Sequence, residues 1–167
     1  MDFLASEAWR MRHPGAAVGF LVMDDVRNPR HHPELEIRKA VLEAELRDRY
    51  GSLDPDALKS LPVIEAYRDY YGQFRKSYHV RMQVASVVYD GKSIPSVAAL
   101  VEAMFMAELE SMLLTAGHDV DALVGPVRID VADDTEQYEK LNGNNQVCKA
   151  DDQVMADDKG VISSILY

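Results

Sequence analysis

The stretch "IPSVAALVEAMFMAELESMLL", residues 94–114, decides how this chain is read. Its apolar residues fall on nearly every side of a helix, the pattern of a central, buried helix. Glu102, Glu108 and Glu110 interrupt it, which makes it too polar to span a membrane. Glu102 and Glu108 are six residues apart, roughly 600° of helical rotation, so they sit about 120° apart around the axis. At least one is expected to point inward, where a carboxylate needs a partner.

Downstream of this helix the sequence turns to strands. "PVRIDVA", 126–132, places Val127, Ile129 and Val131 on one face. Asn142-Gly143 signals a tight turn. "DDQVMADDKGVISSILY", 151–167, reads as two strands around Asp158-Lys159-Gly160. The 163–167 end reads as a strand paired inside the sheet, and the natural chain is expected to continue past Tyr167.

Upstream, helices dominate. Residues 33–51 form a strong helical pattern on Leu35, Val41, Leu42 and Leu46, ended by Gly51. Residues 53–74 hold two shorter pieces: Asp54 caps the first with Pro55 behind it, and Pro62 opens the second. A short helix is expected over 5–12 with Ser6 as its cap. "AAVGFLVMDDV", 16–26, reads as a strand ending at the Asn28-Pro29 turn signal. "HVRMQVASVVYDGK" alternates only loosely and leaves strand or helix open. The expected class is α/β (α+β), a mixed β-sheet packed against helices.

The bulk properties narrow the function. A chain of 167 residues, 47% hydrophobic, is long enough for a real core. A formal net charge of −10 argues against a general nucleic-acid or membrane-surface binder, so neither DNA nor a membrane is an expected partner. One cysteine, Cys148, rules out an internal disulfide and fits a reducing cytoplasm. The N-terminus lacks the basic start and apolar core of a signal peptide. No Gly-rich phosphate loop, paired-Cys metal site or Gly-flanked nucleophilic Ser is present. No cofactor and no metal are expected.

Several residues have an ordinary structural explanation. His31-His32 reads as solvated loop, because adjacent side chains rarely converge on one ion. Met104, Met106 and Met112 read as core filling. The acidic pairs near 133, 151 and 157 read as turns and strand ends, since calcium needs alternating ligands. Cys148 reads as a buried or half-buried structural thiol.

Two groups carry more chemistry. Arg75, Lys76, Tyr78, His79 and Arg81 form the one basic, aromatic island of an acidic chain. A solvated helix face explains it; so does a contact for phosphates, with Tyr78 stacking on a base. "LLTAGHDVDAL", 113–123, is the other. Gly117 is expected to take a left-handed helix cap, and Asp119 to cap the next short turn. Neither explains His118, which titrates near neutral pH and is suited to move protons.

The segment from Ser77 to Ala132 resembles the B3/B4 domain of the phenylalanyl-tRNA synthetase beta chain, and the free-standing proteins built on that domain most of all. The resemblance rests on Ser86-Val87, Gly91-Lys92, Pro95 before the 96–112 helix, "AGHDVDAL", "PVRIDVA" and the late "DDKGVISSILY". It covers about residues 60–167, and the order of these motifs carries it. It favours a helix over the segment from His79 toward Gly91. It implies a domain at 56–167, apparently cut short at its C-terminal end, with 1–55 as a strand-helix extension packed on it. It implies an editing activity: hydrolysis of a wrongly attached amino acid from a tRNA 3′ end, in trans for the free-standing form. The chain departs from the family where Phe105 replaces a common Asn, Glu108 a frequent Ser, and His118 the acid of the glycine turn.

Two readings follow. In the first, the chain is an aminoacyl-ester hydrolase with His118, Asp119 and Glu108 in the pocket, and with Arg75, Lys76, Tyr78, His79 and Arg81 toward the RNA end. In the second, it keeps the fold and binds RNA or an amino acid without catalysis. The lost Asn and the net charge favour the second; the His in the glycine turn favours the first.

Overall fold

The computed structural model describes residues 1–140 and 142–167. The chain is α+β. It divides into two compact units, Asp24–Gly117 and Met1–Met23 with His118–Tyr167. These contact boundaries fall at other points than the division near residue 55 read from the resemblance.

The Asp24–Gly117 unit is helical: α2 (Pro33–Tyr50), α3 (Pro55–Lys59), α4 (Pro62–Gln73), α5 (His79–Val88) and α6 (Ala99–Ser111). Asp54 caps α3 by accepting from the Asp56 amide at 2.7 Å, with Pro55 at the first helical position. The 79–88 segment is a helix, as the resemblance favoured over its loose alternation. In α2 the buried side chains are Lys39, Leu42, Glu43 and Leu46, while Val41 faces solvent. Leu46, Leu58, Ile64, Tyr71, Val80, Val84 and Leu109 are closed to solvent and form the heart of the unit.

The helix within 94–114 is shorter than expected and not buried all round. Pro95 lies ahead of it, and α6 begins at Ala99. Its first amides are capped by a distant segment: Ala99 N donates to the Pro29 carbonyl at 2.9 Å and Leu100 N to Asn28 Oδ1 at 3.0 Å. Val101 stays 44% exposed, whereas Glu102 and Glu108 are both buried. The uniform apolar pattern concealed this, because a helix apolar on every side gives no sign of which side is covered.

The other unit carries the strands: β1 (Phe3–Ala5), β2 (Val127–Val131), β3 (Gln137–Glu139), β4 (Asn145–Val147), β5 (Gln153–Asp157) and β6 (Gly160–Ser164), with the short helix α1 (Glu7–Arg12). The main sheet is mixed, in the order β1-β2-β5-β6. β1 runs parallel to β2, and the remaining pairs are antiparallel. β3 and β4 form a separate ribbon whose turn places Gly143 at φ +78°, conformational space that favours glycine. Ser6 caps α1, its hydroxyl accepting from Trp9 N at 3.0 Å. Trp9 is buried and its indole donates to Gln153 Oε1 at 2.8 Å. Val127, Ile129, Cys148, Val154 and Ala156 supply the apolar core.

One strand expectation fails here and another holds only in part. Residues 17–23 form no strand and no backbone–backbone hydrogen bond among the described residues, and Leu21 is 80% exposed. β-propensity needs a partner edge, and β1, not the 16–26 segment, lies beside β2. The 163–167 strand is present only in its first part: Ser163 and Ser164 pair with β5, and Ile165 N donates to the Gln153 carbonyl at 3.0 Å. β6 is the edge strand, ends at Ser164, and gives way to a turn with Tyr167 43% exposed. Among the described residues no helix is long and apolar enough to cross a membrane.

Candidate functional site

His118 opens the second stretch of the strand-bearing unit, just ahead of a 3-10 turn at Val120–Ala122. Asp119 caps that turn, its Oδ1 accepting from Asp121 N at 3.1 Å. Its carboxylate therefore shapes the loop that presents His118. His118 itself is exposed as a residue, yet its ring is desolvated enough that burial holds its pKa below the ordinary 6.5. The imidazole is accordingly neutral near pH 7. Its Nε2 lies 3.5 Å from Ser163 Oγ on β6. If the hydroxyl donates, Nε2 is the acceptor and Nδ1 carries the proton.

Gly117 is not the left-handed cap expected of it. α6 ends earlier, with Met112 in the left-handed conformation at φ +58°. A side chain on Gly117 would instead meet Met104 Sδ at 3.1 Å. That is mild crowding by a flexible side chain, and the backbone dihedral at Gly117 is not one that favours glycine.

Glu108 belongs to the helical unit. It is buried, and its Oε2 accepts from Thr115 N at 2.8 Å and Thr115 Oγ1 at 3.0 Å. The carboxylate thus folds the 112–115 segment back onto the end of α6. Glu102, the other acid of this helix, meets Lys39 Nζ at 3.0 Å and accepts from Val97 N at 2.7 Å. Both inward acids have partners, as physics requires of buried carboxylates.

The basic island is split by burial. Arg75 and His79 are exposed, and Lys76 and Arg81 are half-buried. Tyr78 is only 2% exposed. Its ring stacks on Tyr67 at 4.1 Å and its hydroxyl donates to the Met112 carbonyl at 2.9 Å. Burial pushes its pKa up, with smaller contributions from Tyr67, Glu108 and Tyr71. Tyr78 is therefore a core residue, and the stacking role expected of it is withdrawn: no base reaches a ring already covered. Basic residues alternate with aromatic ones here because the aromatic ones build the core.

Arg75 holds the left-handed position after α4, φ +58°, in a Schellman closure. Arg75 N donates to the Gly72 carbonyl and Lys76 N to the Tyr71 carbonyl, both at 3.0 Å. Glycine is the low-cost residue at such a position. Arg75→Gly is expected to raise unfolding stability by about 0.5–1 kcal/mol, read from urea denaturation midpoints. An unchanged or lowered midpoint would mean that the guanidinium makes a compensating contact.

The remaining candidates have structural roles. Cys148 is buried, and burial pushes its thiol up to about 11, far from a reactive thiolate. Asp157 accepts from Val124 N at 2.9 Å and from Lys159 N at 2.7 Å, so this acid closes the β5–β6 turn. Among the described residues no group of three or more His, Cys, Asp or Glu is placed to hold a metal ion. An apolar groove of about 370 Å³ beside β1, lined by Phe3, Trp9, Arg10, Val18 and Phe20, contains none of the residues expected in the site. Ser163 was missed by sequence reasoning, because a Ser-Ser pair in a strand has no flanking signature.

No family model, no curated protein and no solved structure matches this chain.

Proposed function

We propose that the protein is a free-standing tRNA-editing-like hydrolase, which cleaves the ester of a mischarged aminoacyl-tRNA in trans. The observation that carries the proposal is the state of His118: an accessible imidazole, neutral near pH 7, beside a hydroxyl at 3.5 Å. Such a group accepts a proton from an oxygen nucleophile as it attacks a carbonyl. An aminoacyl ester next to a vicinal hydroxyl is already reactive, so a positioned base and oriented backbone amides are enough. Asp119 sets the loop, and Glu108 has a supporting role within its own unit. No cofactor takes part, and a cytoplasmic setting belongs to the same reading. The test is deacylation of a panel of mischarged tRNAs by the full chain. Release of the amino acid from at least one misacylated tRNA is expected, with the correctly charged tRNA spared. No release from any member would sink the proposal.

The RNA contact in this reading is light. Arg75 and Arg81 have no ion pair among the described residues, whereas Arg68 is held by Glu65 and Asp69 at 3.3 and 2.9 Å. Together Arg75 and Arg81 neutralise about two phosphates, which for a single strand gives a salt slope of about −1.4. A minimal aminoacylated mimic of the tRNA 3′ end is expected to compete about as well as whole tRNA. Replacing Arg75, Lys76 and Arg81 by Ala should weaken binding modestly and alike across tRNA species. A steep slope, with whole tRNA bound far more tightly than the mimic, would contradict this.

A second reading, a binding module without catalysis, is favoured by one observation. Glu108, expected in the pocket, already has its carboxylate engaged by Thr115. That reading gives binding of the charged 3′ end and no turnover.

A further inference from the structure

We infer that Ser163 is the nucleophile of a Ser163–His118 pair, so that ester cleavage passes through an acyl-enzyme. The inference rests on the hydrolase reading above and replaces direct attack by water with attack by a side chain.

Two adjacent serines on β6 are sorted by the alternation of the strand. Ser164 is buried; its hydroxyl donates to the buried Asp152 carboxylate and accepts from Leu166 N at 3.1 Å. It is locked and unavailable. Ser163 points the other way, is half-exposed, and has His118 Nε2 as its side-chain partner at 3.5 Å. That separation is longer than a good hydrogen bond, but nucleophile–base pairs are often loose before substrate binds. β6 is the edge strand of its four-stranded sheet, with hydrogen-bonded pairing to β5 alone among the described residues. The backbone N–H groups of His118, Asp119 and Val120 make no backbone–backbone or side-chain hydrogen bond among the described residues. The proposed mechanism assigns the developing oxyanion to them.

The step balances without a cofactor. Ser163 Oγ attacks the ester carbonyl while its proton passes to His118 Nε2. The tetrahedral oxyanion collapses, the bond from the carbonyl carbon to the ribose oxygen breaks, and His118 returns the proton to that oxygen. The acyl group then rests on Ser163. Water, deprotonated by the same imidazole, releases the free acid and restores the hydroxyl.

The test uses a fluorophosphonate ester, which reacts with activated serines independently of any tRNA, and localises the adduct by peptide mass mapping on the full chain. Ser163 is expected to be labelled and Ser164 not. His118→Gln should slow labelling about a hundredfold or more, with thermal stability unchanged. Absence of an adduct on Ser163, or labelling at the same rate in His118→Gln, would overturn the inference. Mischarged tRNA separates the two levels. Full deacylation by Ser163→Ala leaves the editing reading standing and removes the nucleophile. His118-dependent labelling of Ser163 without any tRNA deacylation keeps the nucleophile and removes the editing reading.

Discussion

Replacing Lys39 by Met is expected to lower unfolding stability by about 3 kcal/mol, the lower end of the cost of breaking a buried ion pair. Lys39 is 3% exposed and Glu102 1% exposed. The ammonium sits 3.0 Å from Glu102 and 2.8 Å from Glu36, and donates to Ser96 Oγ at 2.7 Å. Burial alone would lower the Lys39 pKa, but the hydrogen bonds and charges of Glu36 and Glu102 outweigh it, and the value lies above 10.5. By linkage, a raised lysine pKa adds stability that is fully present below the unfolded value and lost as pH rises through the folded one. The lower end of the range applies because Glu36, the ammonium's other carboxylate partner, keeps 39% of its side chain exposed. Met in place of Lys39 leaves the Glu102 carboxylate buried with only the Val97 amide facing it. The double variant Lys39→Met/Glu102→Leu should recover most of the loss, since an apolar pair of similar volume replaces the charges. Urea denaturation of the single and double variants measures this. A double variant no more stable than the worse single one would mean that the charges hold the 94–97 segment in some other way.

This pair also marks where the sequence stops being legible. The spacing of Glu102 and Glu108 says that one acid faces inward. It does not say that the partner is Lys39 on another helix, because nothing local links residues so far apart. Asn28 is the same case. It reads as a turn signal, yet residues 26–29 form no turn, and its side chain instead accepts from the Leu100 amide at the start of α6. Local signals fared better: Ser6, Asp54 and Asp119 each act within three residues, and each caps what it was expected to cap. The 16–26 segment failed because β-propensity describes a chain suited to a sheet without supplying a free edge for it. At the site, His118 stood out because capping chemistry left it unexplained. Ser163 did not, because only the register of β6 separates it from Ser164.

Replacing His118 by Ala is expected to slow deacylation by about ten- to ten-thousand-fold, the range for removing a general base. Among the described residues the ring accepts no hydrogen bond from a buried donor and caps nothing, while Asp119 holds the turn. Melting temperature should therefore stay nearly unchanged. The pH profile gives a second readout. Burial lowers the His118 pKa below 6.5, so the active, neutral form is the major species above that value. Activity should be flat near pH 7 and above, and should fall as pH drops through the lowered pKa, beyond where a free imidazole would titrate. Stability should follow the same sign. Below pH 6.5 the unfolded chain binds this proton more readily than the folded one, so acid weakens the fold slightly. Unchanged turnover in His118→Ala would reduce His118 to a loop residue. A large fall in melting temperature with intact specific activity would make it structural. A profile centred above 6.5 would place the essential base on another side chain.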